Sequence, residues 1–414
     1  MTPLPIYTDP NESELSTRKK KLLASMDEKS LDCLVITDPD NVYWLTNFAN
    51  YIHERPFILL LSKSGQLTFI IPELERKHAT TRSIGHIELD TYDEFPSEGD
   101  NAWTSVFKKR VSCFSNVGIE FNAPQFISQQ IQSNCVASEL IEEARYVKSD
   151  YELGRIAYSC KVATKAMERL LSMSQPGLSL LDVHSKITKL MLMQVLADNP
   201  QMNPLATDVA AVVQPPNVSH DPHNFTNVMD MDMTPGGPHV SIINGTMNGY
   251  GTEVERTFFL GHVPDKADKP FNVMMEARAL CLELCVPGTD MHDVDSKVAD
   301  LCAKYGYRDN ILHRVGHSIG VTGHEGPFLA KGFHHEIKPG MLFTIEPGIY
   351  IDGVGGFRHS DTVLVTQSGN EVLTPVKDSL QALTIPVKKY GFKTSAAFKK
   401  KLLRSYNKYL GLNL

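Results

Sequence analysis

Apolar and polar positions follow two different textures along the chain. From Leu31 to about Glu143, short apolar runs are separated by polar turns. Leu31–Thr37 (LDCLVIT) is closed by Asp38-Pro39-Asp40, and the runs Phe57–Leu61 and Leu67–Ile71 are split by Ser62-Lys63-Ser64-Gly65. Runs of this length, bounded by Gly, Pro, Asp and Ser, read as strands. With a Lys- and Leu-rich helix over Ser16–Met26 and helical stretches between the strands, they predict an α/β domain.

Near Arg145-Tyr146-Val147-Lys148-Ser149-Asp150 the texture changes. Leu153, Ile156, Ala157, Cys160 and Ala163 recur at helical spacing and predict a long helix. Strands follow at Val240–Ile243, Glu253–Leu260, Met341–Ile345 and Thr362–Val365, with helices near Phe271–Cys285 and His292–Tyr305. Pro287-Gly288 stops the first of these helices. The expected organisation is an α/β domain over residues 1–144, a mixed α+β domain over 145–387, and a basic tail over 388–414. The tail, with Lys388, Lys389, Lys399, Lys400 and Lys401 among its charges, reads as a solvated helical face.

Composition narrows the class. A chain of 414 residues suits two domains rather than one core. With 42% hydrophobic and 21% charged residues it has the make-up of an ordinary globular protein, not a disordered one. The net charge of −7 argues against a nucleic-acid partner, and no apolar run is long enough to cross a bilayer. The first residues lack a basic segment followed by an apolar core, and the cysteines are scattered without a CxxC pair. Both features predict a cytoplasmic protein with reduced thiols.

The candidate chemistry lies in the second domain. On a strand through Tyr250-Gly251-Thr252-Glu253-Val254-Glu255-Arg256-Thr257, Glu253 and Glu255 share one face and Val254 takes the other. Two carboxylates on an interior face need a positive partner, whether a metal, a histidine or a substrate. In the alternative reading, one of them pairs with Arg256 at the surface. Gly316 and Gly320 flank His317 and allow the backbone to come close to a ligand. His324-Glu325 follows, Glu346 sits where Pro347 ends a strand, and Ser360 lies in Gly356-Phe357-Arg358-His359-Ser360-Asp361.

Together these motifs resemble the pita-bread (creatinase/aminopeptidase, M24-like) family over nearly the whole chain except the leader and the basic tail. The resemblance implies a creatinase-type α/β domain followed by a pita-bread domain. It also implies a homodimer, because similar proteins complete the site across subunits. Metal-dependent members carry Tyr-x-x-Asp-x-x-Arg-Thr on the first catalytic strand, which places their metal-binding Asp on Glu253. A second metal-binding Asp falls on Ile242. His317 and Glu346 match metal ligands, His324 matches a substrate-contacting histidine, and Ser360 stands where a bridging Glu is found. Two neighbouring ions need shared carboxylates to offset their repulsion, and two of the five ligand positions are lost. The expectation is therefore no metal cofactor, with room for a single divalent ion such as Mn or Zn on Glu253, His317 and Glu346.

Creatinase, the metal-free member, supplies a second set of matches. Its Glu-Arg-Thr falls on Glu255-Arg256-Thr257, its proton-moving His-Asn pair on His223-Asn224, and its carboxylate-binding Arg-Pro-aromatic sequence on Arg55-Pro56-Phe57. Its second carboxylate-binding arginine falls on Phe328, and Glu325 is peptidase-like. The expected function is metal-independent hydrolysis of a C–N bond in a small amidino or amide substrate. His223 acts as base and then acid. Glu255 and Glu346 hold the NH-rich part of the substrate, Glu253 and Arg55 bind it, and His317 and His324 line the pocket. Two rival readings are a metal-dependent Xaa-Pro aminopeptidase or dipeptidase, and a pseudoenzyme that keeps the fold as a binding module.

Overall fold

The computed structural model describes residues 3–50, 54–224 and 228–387. The expected basic tail, 388–414, lies outside the described residues. The chain divides into two units. One holds Tyr7–Val147 and Asn203–Thr207; the other holds the leader to Ile6, Lys148–Met202 and the chain from Asp208 onward.

In the first unit, the apolar runs form a six-stranded sheet. Its strands in chain order are β1 (Cys33–Ile36), β2 (Ile58–Ser62), β3 (Leu67–Pro72), β4 (Glu88–Tyr92), β5 (Asn116–Glu120) and β6 (Asn134–Ser138). They lie in the order β4-β3-β2-β1-β5-β6. β1 is antiparallel to β2 and parallel to β5. Every residue of β1 and β3 is buried, as expected when both faces of a sheet are covered. Phe107, Trp103, Val117 and Ile70 fill one of those faces.

The second unit begins with the predicted long helix, Asp150–Met173. A capping box starts it: the Ser149 side chain accepts from the Glu152 backbone N–H while the Glu152 carboxylate accepts from that of Ser149. Its sheet contains β7 (Asp208–Gln214), β8 (Gly236–Met247), β9 (Tyr250–Leu260), β12 (Leu342–Ile345) and β15 (Ser360–Thr366), reached after β10 (Gly316–Ser318), β11 (Glu325–Leu329), β13 (Gly348–Ile351) and β14 (Gly355–Arg358). The main path is β12-β15-β9-β8-β7, all antiparallel, and β10–β11 and β13–β14 are separate two-stranded ribbons. The predicted helices appear as Asp265–Leu284 and Met291–Lys304.

The β8–β9 turn fixes the register of this sheet. Asn248 and Gly249 have φ of 51° and 96°, both in the left-handed region, as a two-residue type I′ hairpin requires. Met247 therefore pairs with Tyr250, and counting back puts Asn244 opposite Glu253 and Ile242 opposite Glu255. The two faces of β9 then carry different chemistry. Glu253 and Glu255 point one way, while Arg256 points the other and donates to Asp361 Oδ1 at 2.7 Å. Arg278 Nε donates to Asp361 Oδ2 at 2.8 Å. Asp361 and Arg256 are fully buried, so these charges are held away from water by one another.

Two stability predictions follow from this packing. Asp361→Asn leaves two guanidinium groups without their shared anion and is expected to cost about 3–5 kcal/mol, read from the urea-unfolding midpoint. His239 is fully buried beside Phe258, and burial pushes its imidazole down to about 4. The unfolded chain takes up that proton near pH 6.5, so it binds more protons than the folded chain between about 6.5 and 4. Stability is expected to fall by about 3 kcal/mol as pH drops through that window, and His239→Gln to flatten this limb in acid-unfolding measurements.

Candidate functional site

Four segments converge on the face of β9 that carries Glu253 and Glu255. β15 pairs Ser360 with Glu255 and Asp361 with Val254, which turns Ser360 to the same side as the two glutamates. Ser360 Oγ donates to Glu253 Oε1 at 2.8 Å. β12 ends at Ile345, and the Glu346 N–H donates to the Val315 carbonyl at 2.9 Å, so Glu346 leaves the strand end beside β10. β10 carries His317, and the turn toward β11 carries His324.

The glycines around His317 serve packing between segments. A Cβ on Gly316 would collide with the Thr344 carbonyl oxygen, and one on Gly320 with the Glu325 carboxylate. They let β10 lie against β12 and let Glu325 fold under the loop. Glu325 and Ser318 are held there by the buried Lys148, whose Nζ donates to Glu325 Oε1 at 3.1 Å and to Ser318 Oγ at 2.5 Å.

Three carboxylates are buried together. Arg358 Nη2 donates to Glu255 Oε1 at 2.8 Å, and its Nε makes a second, close ion contact with Oε2. Burial nonetheless pushes Glu255 up, to about 8, with the Glu253 charge adding to the push and Arg358 opposing it. Burial would also raise Glu253, but His317, Ser360, Arg358 and His324 together hold its carboxyl below the usual range. Glu346 is raised well above that range by burial and then by the Glu253 and Glu255 charges. Of the three, Glu346 is thus the one that most readily keeps a proton.

The imidazoles are aimed at this anionic cluster. His317 Nδ1 lies 2.9 Å from the Ser318 carbonyl and donates to it, which leaves the lone pair on Nε2. That Nε2 is buried without a hydrogen-bond partner, 3.3 Å from Glu346 Oε1. His324 stacks on His317 with ring centroids 3.8 Å apart and is exposed to the cleft. Burial lowers both imidazoles, so neutral, ligating forms are favoured. Glu253, His317 and His324 each offer a ligand atom within 4.8 Å of the others, and Glu253, Glu255 and Glu346 form a second such group.

The sequence-predicted residues divide between the two units. Glu253, Glu255, His317, His324 and Glu346 come together, and His223 is near enough for its charge to bear on His324 and His313. Arg55 belongs to the other unit, where it is ion-paired with Glu54 and Glu94 at 2.7 Å. Sequence reasoning missed Arg358, Tyr350 and His313, which brace the site. His313 Nε2 and Arg358 Nη1 both meet the Tyr350 hydroxyl, at 2.7 and 3.1 Å. The signal for Arg358 was its place two residues before Ser360 in the motif Phe357-Arg358-His359-Ser360-Asp361.

Comparison with known proteins completes the picture. "Metallopeptidase family M24" matches residues 154–367 and "Creatinase/Prolidase N-terminal domain" matches residues 18–147. The Xaa-Pro dipeptidase of Pyrococcus horikoshii is 26% identical over 372 residues, 88% of this chain and 99% of that one. That of Pyrococcus furiosus is 27% identical over 373 residues, 88% of this chain and all of that one. The crystal structure of the prolidase from P. horikoshii OT3 superposes with a TM-score of 0.76 at 25% identity, covering 88% and 99% of the two chains.

These matches correct the expectation of no metal cofactor. The family is a metallopeptidase family, and the His317 Nε2 lone pair with its Glu253 and His324 neighbours is a donor set that fits one divalent ion. Counting lost positions overlooked His324 as a third donor, because its nearness to Glu253 arises only from the β10–β11 turn. Ile242 and Ser360 supply no carboxylate opposite Glu255, so a second ion would rest on Glu253, Glu255 and Glu346, with Glu255 already engaged by Arg358. With its family description covering more than half of the sequence, this chain belongs to metallopeptidase family M24, as a hydrolase of C–N bonds with a creatinase/prolidase-type N-terminal domain and a pita-bread catalytic domain.

Proposed function

We propose that the protein hydrolyses the peptide bond of Xaa-Pro dipeptides using one divalent ion held by Glu253, His317 and His324. This replaces the creatinase-like, metal-independent scheme. The observation that carries it is the mutual reach of those three donors, with His317 Nε2 buried and lacking a hydrogen-bond partner. Similarity over 88% of this chain to proteins named Xaa-Pro dipeptidases supports the substrate class.

A bound divalent ion would polarise the scissile carbonyl and acidify water at the site. The remaining chemistry falls to the side chains. Glu346 carries the proton between the attacking water and the leaving nitrogen, because burial and the Glu253 and Glu255 charges tune its carboxyl upward. Ser318 holds the His317 ring by accepting from Nδ1, which fixes both tautomer and direction. Arg358 neutralises Glu255 and keeps the second carboxylate group from repelling the substrate carbonyl as it gains negative charge. His223 is exposed and its charge bears on His324, and in this scheme it is the donor to that oxygen.

The test is hydrolysis of alanyl-proline by full-length protein, alone, with added manganese, and with a chelator. Activity is expected to rise with manganese and vanish with the chelator, and metal analysis to give one ion per chain. His317→Ala should lower kcat/KM by about a hundredfold or more while leaving the unfolding midpoint within a few degrees. Full activity in the chelator, or two tightly held ions per chain, would overturn the proposal.

A further inference from the structure

Among the described residues, one arginine of the site is left unclaimed by the anions around it. Arg358 is taken by Glu255, Arg256 by Asp361, and Lys148 by Glu325 and Ser318. Arg314 is different. Among the described residues its guanidinium makes no ion pair and no hydrogen bond, and its Nε is buried without a partner. An arginine Nε–H shut away from water with nothing to donate to is a standing cost, and a ligand atom removes it.

Its position is set by Phe328. The Arg314 guanidinium carbon lies 4.5 Å from the centre of the Phe328 ring. Phe328 in turn is the β11 residue paired directly with His317 of β10, so both side chains leave the same face of that ribbon. The ring confines the guanidinium, and the Arg314 charge lies near enough to bear on both His317 and His324. Arg314 and His313 also line a cavity of about 360 Å³ that extends to Pro347, the residue after Glu346. The one acid lining that cavity, Asp295, is occupied by the backbone N–H groups of Val315 and Lys331. Among the described residues no side-chain anion is paired with Arg314.

We infer that Arg314 is the substrate-carboxylate receptor of this site, and that the enzyme selects short peptides with a free C-terminal carboxylate. The inference rests on the dipeptide reading above and supplies its specificity residue. A planar guanidinium held by an aromatic face presents two parallel N–H groups, which matches a carboxylate and does not match an amide. The sequence alone pointed elsewhere, to Arg55 and to the position now held by Phe328. In this fold Phe328 supplies the platform and Arg314 the charge.

The test compares alanyl-proline with its C-terminal amide, using calorimetry on the full chain as purified and hydrolysis kinetics with added manganese. The native protein is expected to bind the free acid at least tenfold more tightly than the amide. Arg314→Met should abolish that preference by weakening the acid alone, raising KM for the acid with little change in kcat. Arg314→Lys, which keeps the charge and loses the fork, should restore part of it and serves as the reporter if the Met variant does not fold. Equal affinity for acid and amide in the native protein, binding of neither, or a preference that survives Arg314→Met would each overturn the assignment. Carboxylate-selective binding without any hydrolysis in manganese would sink the dipeptidase reading and leave the assignment of Arg314 standing.

Discussion

Burying Glu253, Glu255 and Glu346 in one place is the constraint around which the catalytic unit is organised. Taking a carboxylate out of water costs several kcal/mol unless a partner compensates, and three adjacent ones repel each other as well. The structure answers each differently. Glu255 has the guanidinium of Arg358, Glu253 has the Ser360 hydroxyl and the nearby imidazoles, and the Glu346 carboxyl is pushed toward its neutral form by burial and the other two charges. Such a cluster remains short of positive charge, and a divalent ion or a cationic substrate group is what it is built to receive.

The scaffold makes that crowding possible by anchoring the opposite face of the same strand. β9 carries its carboxylates on one side and Arg256 on the other, where Asp361 and Arg278 lock it to β15 and to the helix Asp265–Leu284. A type I′ turn at Asn248-Gly249 sets the register, and a slip of one residue would exchange the two faces. The close seating of β10 on β12, permitted by the missing Cβ of Gly316, then delivers His317 to within 3.3 Å of Glu346.

The two lost ligand positions are not scattered. Ile242 on β8 and Ser360 on β15 are both register partners of Glu255, the carboxylate engaged by Arg358. The half of the site where carboxylates were lost is thus the half where a fixed organic cation stands. The other half, Glu253 with His317 and His324, keeps ligand atoms within 4.8 Å of one another.

Local pattern alone determined a good deal. Alternation along a strand put Glu253 and Glu255 on one face, helical spacing marked the long helix from Asp150, and the motifs named the family. These features depend on neighbours within a few residues, which is why they could be read directly. What depends on distant partners could not. Arg256 was weighed as a surface partner for a glutamate, yet the pleat sends it to Asp361, 105 residues away. Gly316 and Gly320 suggested a bound ligand, yet they make room for Thr344 and Glu325. The nearness of His324 to Glu253, the capture of Glu255 by Arg358 and the stacking of Arg314 on Phe328 were decided only when separate strands met. Charge compensation in an interior depends on distance in space, and the order of residues along a chain does not contain that distance.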